Sequence, residues 1–178
     1  MFSFPIQPAR FYRIDRSIEN GGGALWDIGP YAIHTLRQCF KENPKRVKAI
    51  AKLNEYGADI STTGLIDFGN FNRATFDISF ECTRRSEFQV FGTLGSVKCP
   101  TVWQPEDKQA KIIIDTASSG LTQEVVPAAN HFILEINHFN KIIISDTLPK
   151  LSNEDAFWNA KTLESIQQSI KEDSWVSL

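Results

Sequence analysis

No Gly-x-Gly-x-x-Gly turn follows a strand anywhere in the 178 residues, and there is no Walker loop, no HExxH and no GxSxG. Each absence removes a chemistry: dinucleotide cradling, nucleotide-phosphate gripping, zinc peptidase action and serine hydrolase action. Gly21-Gly22-Gly23 follows a polar stretch from Asp15 to Asn20 rather than a strand, and Gly92-Thr93-Leu94-Gly95 reads as a turn between two strands. Cysteine is scarce as well. Cys39, Cys82 and Cys99 are odd in number, widely spaced and without a CxxC pair, so neither a disulfide framework nor a zinc site is expected. They read as buried thiols of a protein kept in a reducing cytoplasm. No apolar run reaches the ~18 residues of a membrane span, and no basic-then-apolar leader opens the chain. The net charge is -2 with no dense basic block, which argues against nucleic acid as a partner.

What remains is ordinary globular material, 42% hydrophobic and 22% charged. The length fits one domain over residues 1–178. Three helices are predicted. The first runs from about Ala24 to Lys41, with Pro30 marking a kink or a first-turn boundary. The second, His131 to Ser145, is capped by Asn130 and carries Phe132, Ile136, Phe139 and Ile143 as one stripe expected to be buried. The third, Asn153 to Glu172, follows Ser152 as N-cap with Asp155 in a variant capping box. Ala156, Ala160, Leu163, Ile166 and Ile170 form its expected inner face. Between the first two helices the period falls to two. Val47, Ala49, Ala51 and Leu53 alternate with Lys48, Ile50 and Lys52, Ala74, Phe76, Ile78 and Phe80 alternate with polar neighbours, and Gly69-Asn70 reads as a hairpin. Further strands are predicted near 60–68, 86–91, 95–99, 110–115 and 121–126. Successive strands flanked by helices give an α+β fold, a mostly antiparallel sheet with helices on one face.

One constellation carries candidate chemistry. Asp27, Tyr31 and His34 are spaced four and three apart, which places them on one face of a continuous helix. A carboxylate, a phenol and an imidazole together can bind hydroxyls and move a proton. The glycines before the helix are expected to let a ligand approach its N-terminus. The same residues also suit structural roles, Asp27 at the positive end of the helix and Tyr31 as an amphipathic core residue.

The stretch GGGALWDIGPYAIHTLRQCF resembles the opening of the main helix in the C-terminal domain of the Gfo/Idh/MocA oxidoreductases. Phe11-Tyr12-Arg13-Ile14-Asp15 is similar to the segment before that glycine run, and Phe91-Gly92-Thr93-Leu94-Gly95 to the family's FGTxG element. Leu151 through Ser169 resembles its closing helix, so the likeness runs along nearly the whole chain. The resemblance implies an α+β domain that normally follows a Rossmann domain. Its open sheet face commonly makes the subunit interface, so a homo-oligomer, a dimer above all, is expected. It implies hydride transfer between NAD(P) and a sugar or polyol. Asp27 falls at the substrate-binding aspartate and Tyr31 at the proton-transfer position. Arg13 is a further substrate contact, and His34, one turn on, an outlying one. The family's lysine comes from the Rossmann half, and Lys150 does not take its place.

Met1 directly precedes Phe2-Ser3-Phe4, so the first strand is expected to be cut and the Rossmann half absent. On that reading the chain alone binds no cofactor and is inactive. An alternative reading is a non-catalytic dimerisation or protein-interaction module, with Phe76, Ile78 and Phe80 supplying its apolar face.

Overall fold

A computed structural model describes residues 1–103 and 108–178. In chain order the elements are β1 (Phe2–Ser3), α1 (Ala24–Asp27), α2 (Gly29–Phe40), β2 (Arg46–Leu53), β3 (Asp59–Gly69), β4 (Asn72–Ser79) and β5 (Arg85–Ser86). Then come β6 (Phe88–Gly92), β7 (Gly95–Cys99), β8 (Ala110–Thr116), β9 (Gly120–Val126), α3 (His131–Ser145), α4 (Asn153–Glu172) and β10 (Val176–Ser177). The chain forms two compact units, Met1–Arg85 with Glu154–Leu178, and Ser86–Asn153. The class is α+β, as the pattern of runs predicted.

In the first unit the sheet has the order β10-β2-β3-β4-β1, with β5 beyond β1. Pairing is antiparallel from β10 to β4, and β1 joins β4 in parallel. The register puts Val47 opposite Ile66 and Gly64 opposite Phe76, so one face collects the apolar side chains. Gly64 is a packing requirement: a Cβ there would lie 2.5 Å from the Phe76 ring. Ile78 meets the helices on this face, since the space beside Gly29 is bounded by Leu25, Leu163 and Ile78. Phe76, Ile78 and Phe80 are buried. They are core, not an apolar docking face, because the period-two face they form is the one the helices cover. The opposite face is charged, with Arg46 on Asp67 and Lys52 on Glu81, each at 2.8 Å.

The predicted first helix is two. Ile28 has φ -114° and ψ -15°, and its N–H still bonds Ala24 O at 2.9 Å. The chain then restarts as α2 with Pro30 in its first turn, where a missing N–H costs nothing. Of the two expectations for Pro30, the first-turn boundary is the one realised.

The inner face of α4 also differs from expectation. Ala156 and Ala160 are exposed, whereas Thr162, Leu163, Ser165, Ile166 and Ser169 are buried. Small hydroxyl residues tolerate burial because the backbone satisfies them: Ala49 N–H donates to Ser169 Oγ at 3.0 Å, and Ser169 Oγ donates to Ser174 O at 2.6 Å.

The second unit is the antiparallel meander β6-β7-β8-β9 followed by α3. Asn130 caps α3 as predicted, its Oδ1 accepting from Ile133 N–H at 3.1 Å. The apolar stripe of α3 is not buried: Phe132, Ile136, Phe139 and Ile143 are 70%, 59%, 62% and 63% exposed. Periodicity made the stripe legible, but burial needs a second surface, and the described residues supply none. The cysteines divide too. Cys99 is buried, while Cys39 and Cys82 are exposed. No described helix is long and apolar enough to cross a membrane.

Candidate functional site

The site is built on the glycine turn that leads into α1. A short 3-10 segment, Pro8–Arg13, brings Arg13 to this turn, and Gly23 N–H donates to Arg13 O at 2.8 Å. The arginine side chain then reaches forward to the far end of α1. Arg13 Nη1 donates to Asp27 Oδ2 at 2.6 Å, with the two side chains 23% and 32% exposed. Burial alone opposes the charge on Arg13, but hydrogen bonding to Tyr12 and the nearby Asp27 carboxylate outweigh it and raise its pKa. The pair is open enough to water to admit a ligand hydroxyl.

Tyr31 stands just beyond, in the first turn of α2. Its ring meets Phe2 edge-on, with centroids 5.8 Å apart and planes at 86°, and the residue is 47% exposed. The Phe2 contact holds one side of the ring, and about half of the residue remains open to solvent. Because the helix breaks at Ile28, the four-residue spacing does not make Asp27 and Tyr31 successive rungs of one regular face. Each is carried by its own short segment.

His34 goes elsewhere. Its Nδ1 lies 3.1 Å from Asp155 Oδ2 on α4. The same carboxylate accepts from Arg37 Nη1 and from Gln38 Nε2, each at 3.0 Å, and Arg37 Nη1 also donates to Asp155 O at 2.9 Å. The structure thus brings Arg13 and Asp27 together, sets Tyr31 nearby in sequence on the next helix, and engages His34 in the α2–α4 joint.

The residue that sequence reasoning missed is Asp59. It opens β3 and is fully buried. Its Oδ2 accepts from Leu25 N–H at 2.9 Å and from Thr62 Oγ1 at 2.6 Å, whereas Oδ1 has no hydrogen-bond partner. Burial pushes its pKa up to about 7, against the lowering effect of Thr62 and of backbone N–H groups. This overturns the expectation that the glycine run lets a ligand reach the N-terminus of α1. Asp59 already occupies that place: a Cβ on Gly23 would lie 2.0 Å from Asp59 Oδ1. No local signal marks Asp59, because its partner turn lies far back in the chain and an aspartate at a strand start reads as loop.

The chain matches the GFO/IDH/MocA C-terminal domain over residues 2–98, more than half its length. It belongs to that family. An uncharacterized oxidoreductase of Rhizobium meliloti is 30% identical over 87% of this chain and 48% of its own length. An NADP(+)-dependent D-xylose 1-dehydrogenase of Haloarcula marismortui is 26% identical over 94% of this chain and 47% of its own. Among solved structures, the aldose-aldose oxidoreductase of Caulobacter crescentus in complex with glycerol superposes with TM-score 0.81. It shares 18% identity and is covered over 53% of its length, against 99% of this chain. A 3-ketoreductase of Actinomadura kijaniata, solved with NADP and TDP-benzene, gives 0.79 at 22% identity, over 94% of this chain and 51% of its own. These structural likenesses establish the fold. The chain spans about half the length of the curated relatives it matches.

Dinucleotide binding in this GFO/IDH/MocA domain does not fit the described residues. They contain no strand that turns through Gly-x-Gly-x-x-Gly into a helix. The one glycine run that opens a helix is filled by the Asp59 carboxylate, which would repel a pyrophosphate. No described group of three or more His, Cys, Asp or Glu is placed to hold a metal.

Proposed function

We propose that this chain is the substrate-side domain of an NAD(P)-dependent oxidoreductase acting on a sugar, polyol or related hydroxyl compound. The observation that carries the proposal is the Arg13–Asp27 pair, part-exposed beside the first turn of α2 that bears Tyr31. Only Oδ2 of Asp27 is engaged by Arg13, so Oδ1 remains an acceptor for a substrate hydroxyl. Arg13 orients the carboxylate. Tyr31 is the proton-transfer group: oxidation of a carbinol releases a hydroxyl proton, and reduction needs one. A phenol works in this way near neutral pH only with a charged neighbour or a relay, which on this reading the dinucleotide-binding domain supplies. The relatives support the substrate class, since several are named for sugars.

Residues 1–178 act on this reading as one C-terminal-type domain in the cytoplasm, inactive until joined to a dinucleotide-binding domain. The homodimer expected of it would use the uncovered face of the first sheet, where Ile50 is 65% exposed among the charged pairs. His34 serves the α2–α4 joint and touches substrate at most from its edge.

The test is a fusion of this chain to the Rossmann domain of a relative, assayed by NAD(P)H formation with aldoses and polyols. Activity should appear, and Tyr31→Phe should lower kcat by about 100-fold or more. Asp27→Asn should raise KM. A fused enzyme indifferent to both changes would sink the assignment.

A second reading is favoured by the uncovered stripe of α3: a protein-interaction module. It predicts stable self-association of the unfused chain, abolished by charge on that stripe and unaffected by Tyr31→Phe.

A further inference from the structure

A helix of four residues needs its first turn held, and α1 starts from Gly23, which has no side chain with which to cap it. The cap comes from across the fold. Asp59, 34 residues after Leu25, takes the Leu25 N–H, and its backbone bridges Gly23 in parallel. Gly23 admits it by lacking a Cβ and by holding φ at +100°. On its other side Gly23 donates its N–H to Arg13 O. Arg13 in turn spans α1 and binds Asp27. The contacts close a ring: Arg13 backbone, Gly23, Asp59 with Leu25, the α1 turn, Asp27, Arg13 guanidinium. Asp59 ties this ring to the sheet through a hydrogen bond and a backbone bridge.

We propose that Asp59 is the positioning residue of the Arg13–Asp27 pair, gripping the first turn of α1 from inside the fold so that the pair keeps one geometry. The importance of that geometry for substrate rests on the proposed function; the grip itself does not. Asp59 touches neither substrate nor cofactor. A merely stabilising residue would be an apolar side chain or a satisfied hydroxyl. A carboxyl with one oxygen unpartnered in the core is costly, and it is placed where it controls the turn. The groups that hold its carboxyl are the Leu25 backbone N–H and the Thr62 hydroxyl, neither of which titrates near neutral pH, and burial drives its proton equilibrium.

The test uses the intact, nitrogen-labelled chain. Guanidinium N–H resonances of Arg13, identified by their loss in Arg13→Lys, should be protected from exchange in the native protein. Asp59→Ala should speed that exchange about 10-fold or more. Asp59→Asn should preserve protection, because its amide oxygen still accepts from Leu25 and Thr62. Ile166→Val, which loosens the same core, should leave Arg13 protected. Should Asp59→Ala not fold, a titration from about pH 5 to about pH 9 decides. The Leu25 amide and the Arg13 guanidinium should then move with one shared midpoint, and Asp59→Asn should abolish both movements. Unchanged Arg13 exchange in Asp59→Ala, equal loss in Ile166→Val, or a Leu25 shift without an Arg13 shift would overturn the proposal. Failure of the substrate assignment would show instead as a fused enzyme insensitive to Asp27→Asn, with these resonances behaving as stated.

Discussion

Arg13 and Asp27 meet at 2.6 Å across the length of α1, and each remains partly open to water. An ion pair so exposed adds little to folding, about 0–1 kcal/mol, because solvent screens it and two long side chains must be ordered. Arg13→Ala should therefore shift the unfolding midpoint only slightly. In a fused enzyme the same change should raise KM for the hydroxyl substrate by about 10-fold, since an ionic hydrogen bond is worth ~1.5–3 kcal/mol at a ligand. Calorimetry of the chain and steady-state kinetics of the fusion check the two halves separately. A large stability loss with unchanged KM would reverse the assignment.

Asp59 should write a pH signature into stability. Its folded pKa, about 7, lies above the usual aspartate value, so between those values the folded state holds a proton that the unfolded state has released. Stability from this group is fully present below about pH 4 and is lost as the pH rises through about 7, on the order of a few kcal/mol in all. Asp59→Asn should flatten that fall, and urea unfolding across the range measures it.

Gly21 and Gly23 both have positive φ, at 77° and 100°. They differ in what surrounds them. Nothing lies within 4 Å of a Cβ built on Gly21, whereas Asp59 blocks one on Gly23. Gly21→Ala should cost only the left-handed penalty, about 1 kcal/mol. Gly23→Ala should cost at least ~2–4 kcal/mol and should free the Arg13–Asp27 pair as well. Equal costs in denaturant would show that the contact with Asp59 is not limiting.

Phe139 offers a contrast with Phe76. Phe76→Ala empties a core site and should cost about 3–5 kcal/mol. Phe139→Glu lies on the exposed stripe of α3 and should change stability by no more than ~0.5 kcal/mol, and should leave a dimer made through the first sheet intact in sedimentation; loss of self-association would favour the interaction-module reading instead.

The strands, the hairpin at Gly69-Asn70 and the Asn130 cap were legible in the sequence because their signals are local: alternation, turn chemistry, one side chain reaching its own helix. The break at Ile28 was half-legible through Pro30. What was not legible is long-range. The identity of the covering surface decides whether Phe132 or Ala156 is buried, and periodicity does not name it. The Arg13–Asp27 pair joins residues 14 apart that a helical-spacing argument does not connect. The role of Asp59 appears only once β3 is set against the glycine turn. His34 shared its spacing with Tyr31, yet Asp155 on α4 claims it.

The closing helix has a consequence for how the protein is made. The first unit is completed by residues from the last part of the chain: Gln167 receives Trp26 Nε1–H at 2.8 Å, Asp155 receives Arg37, and Ser169 receives Ala49. A ribosome delivers the whole of the second unit before any of these partners. The meander can thus fold while Leu25 and Ile78 still wait for Leu163 of α4. The Arg13–Asp27 site, whose contacts all lie between Arg13 and Thr62, needs none of these late partners, so its local geometry can form before the core above it closes.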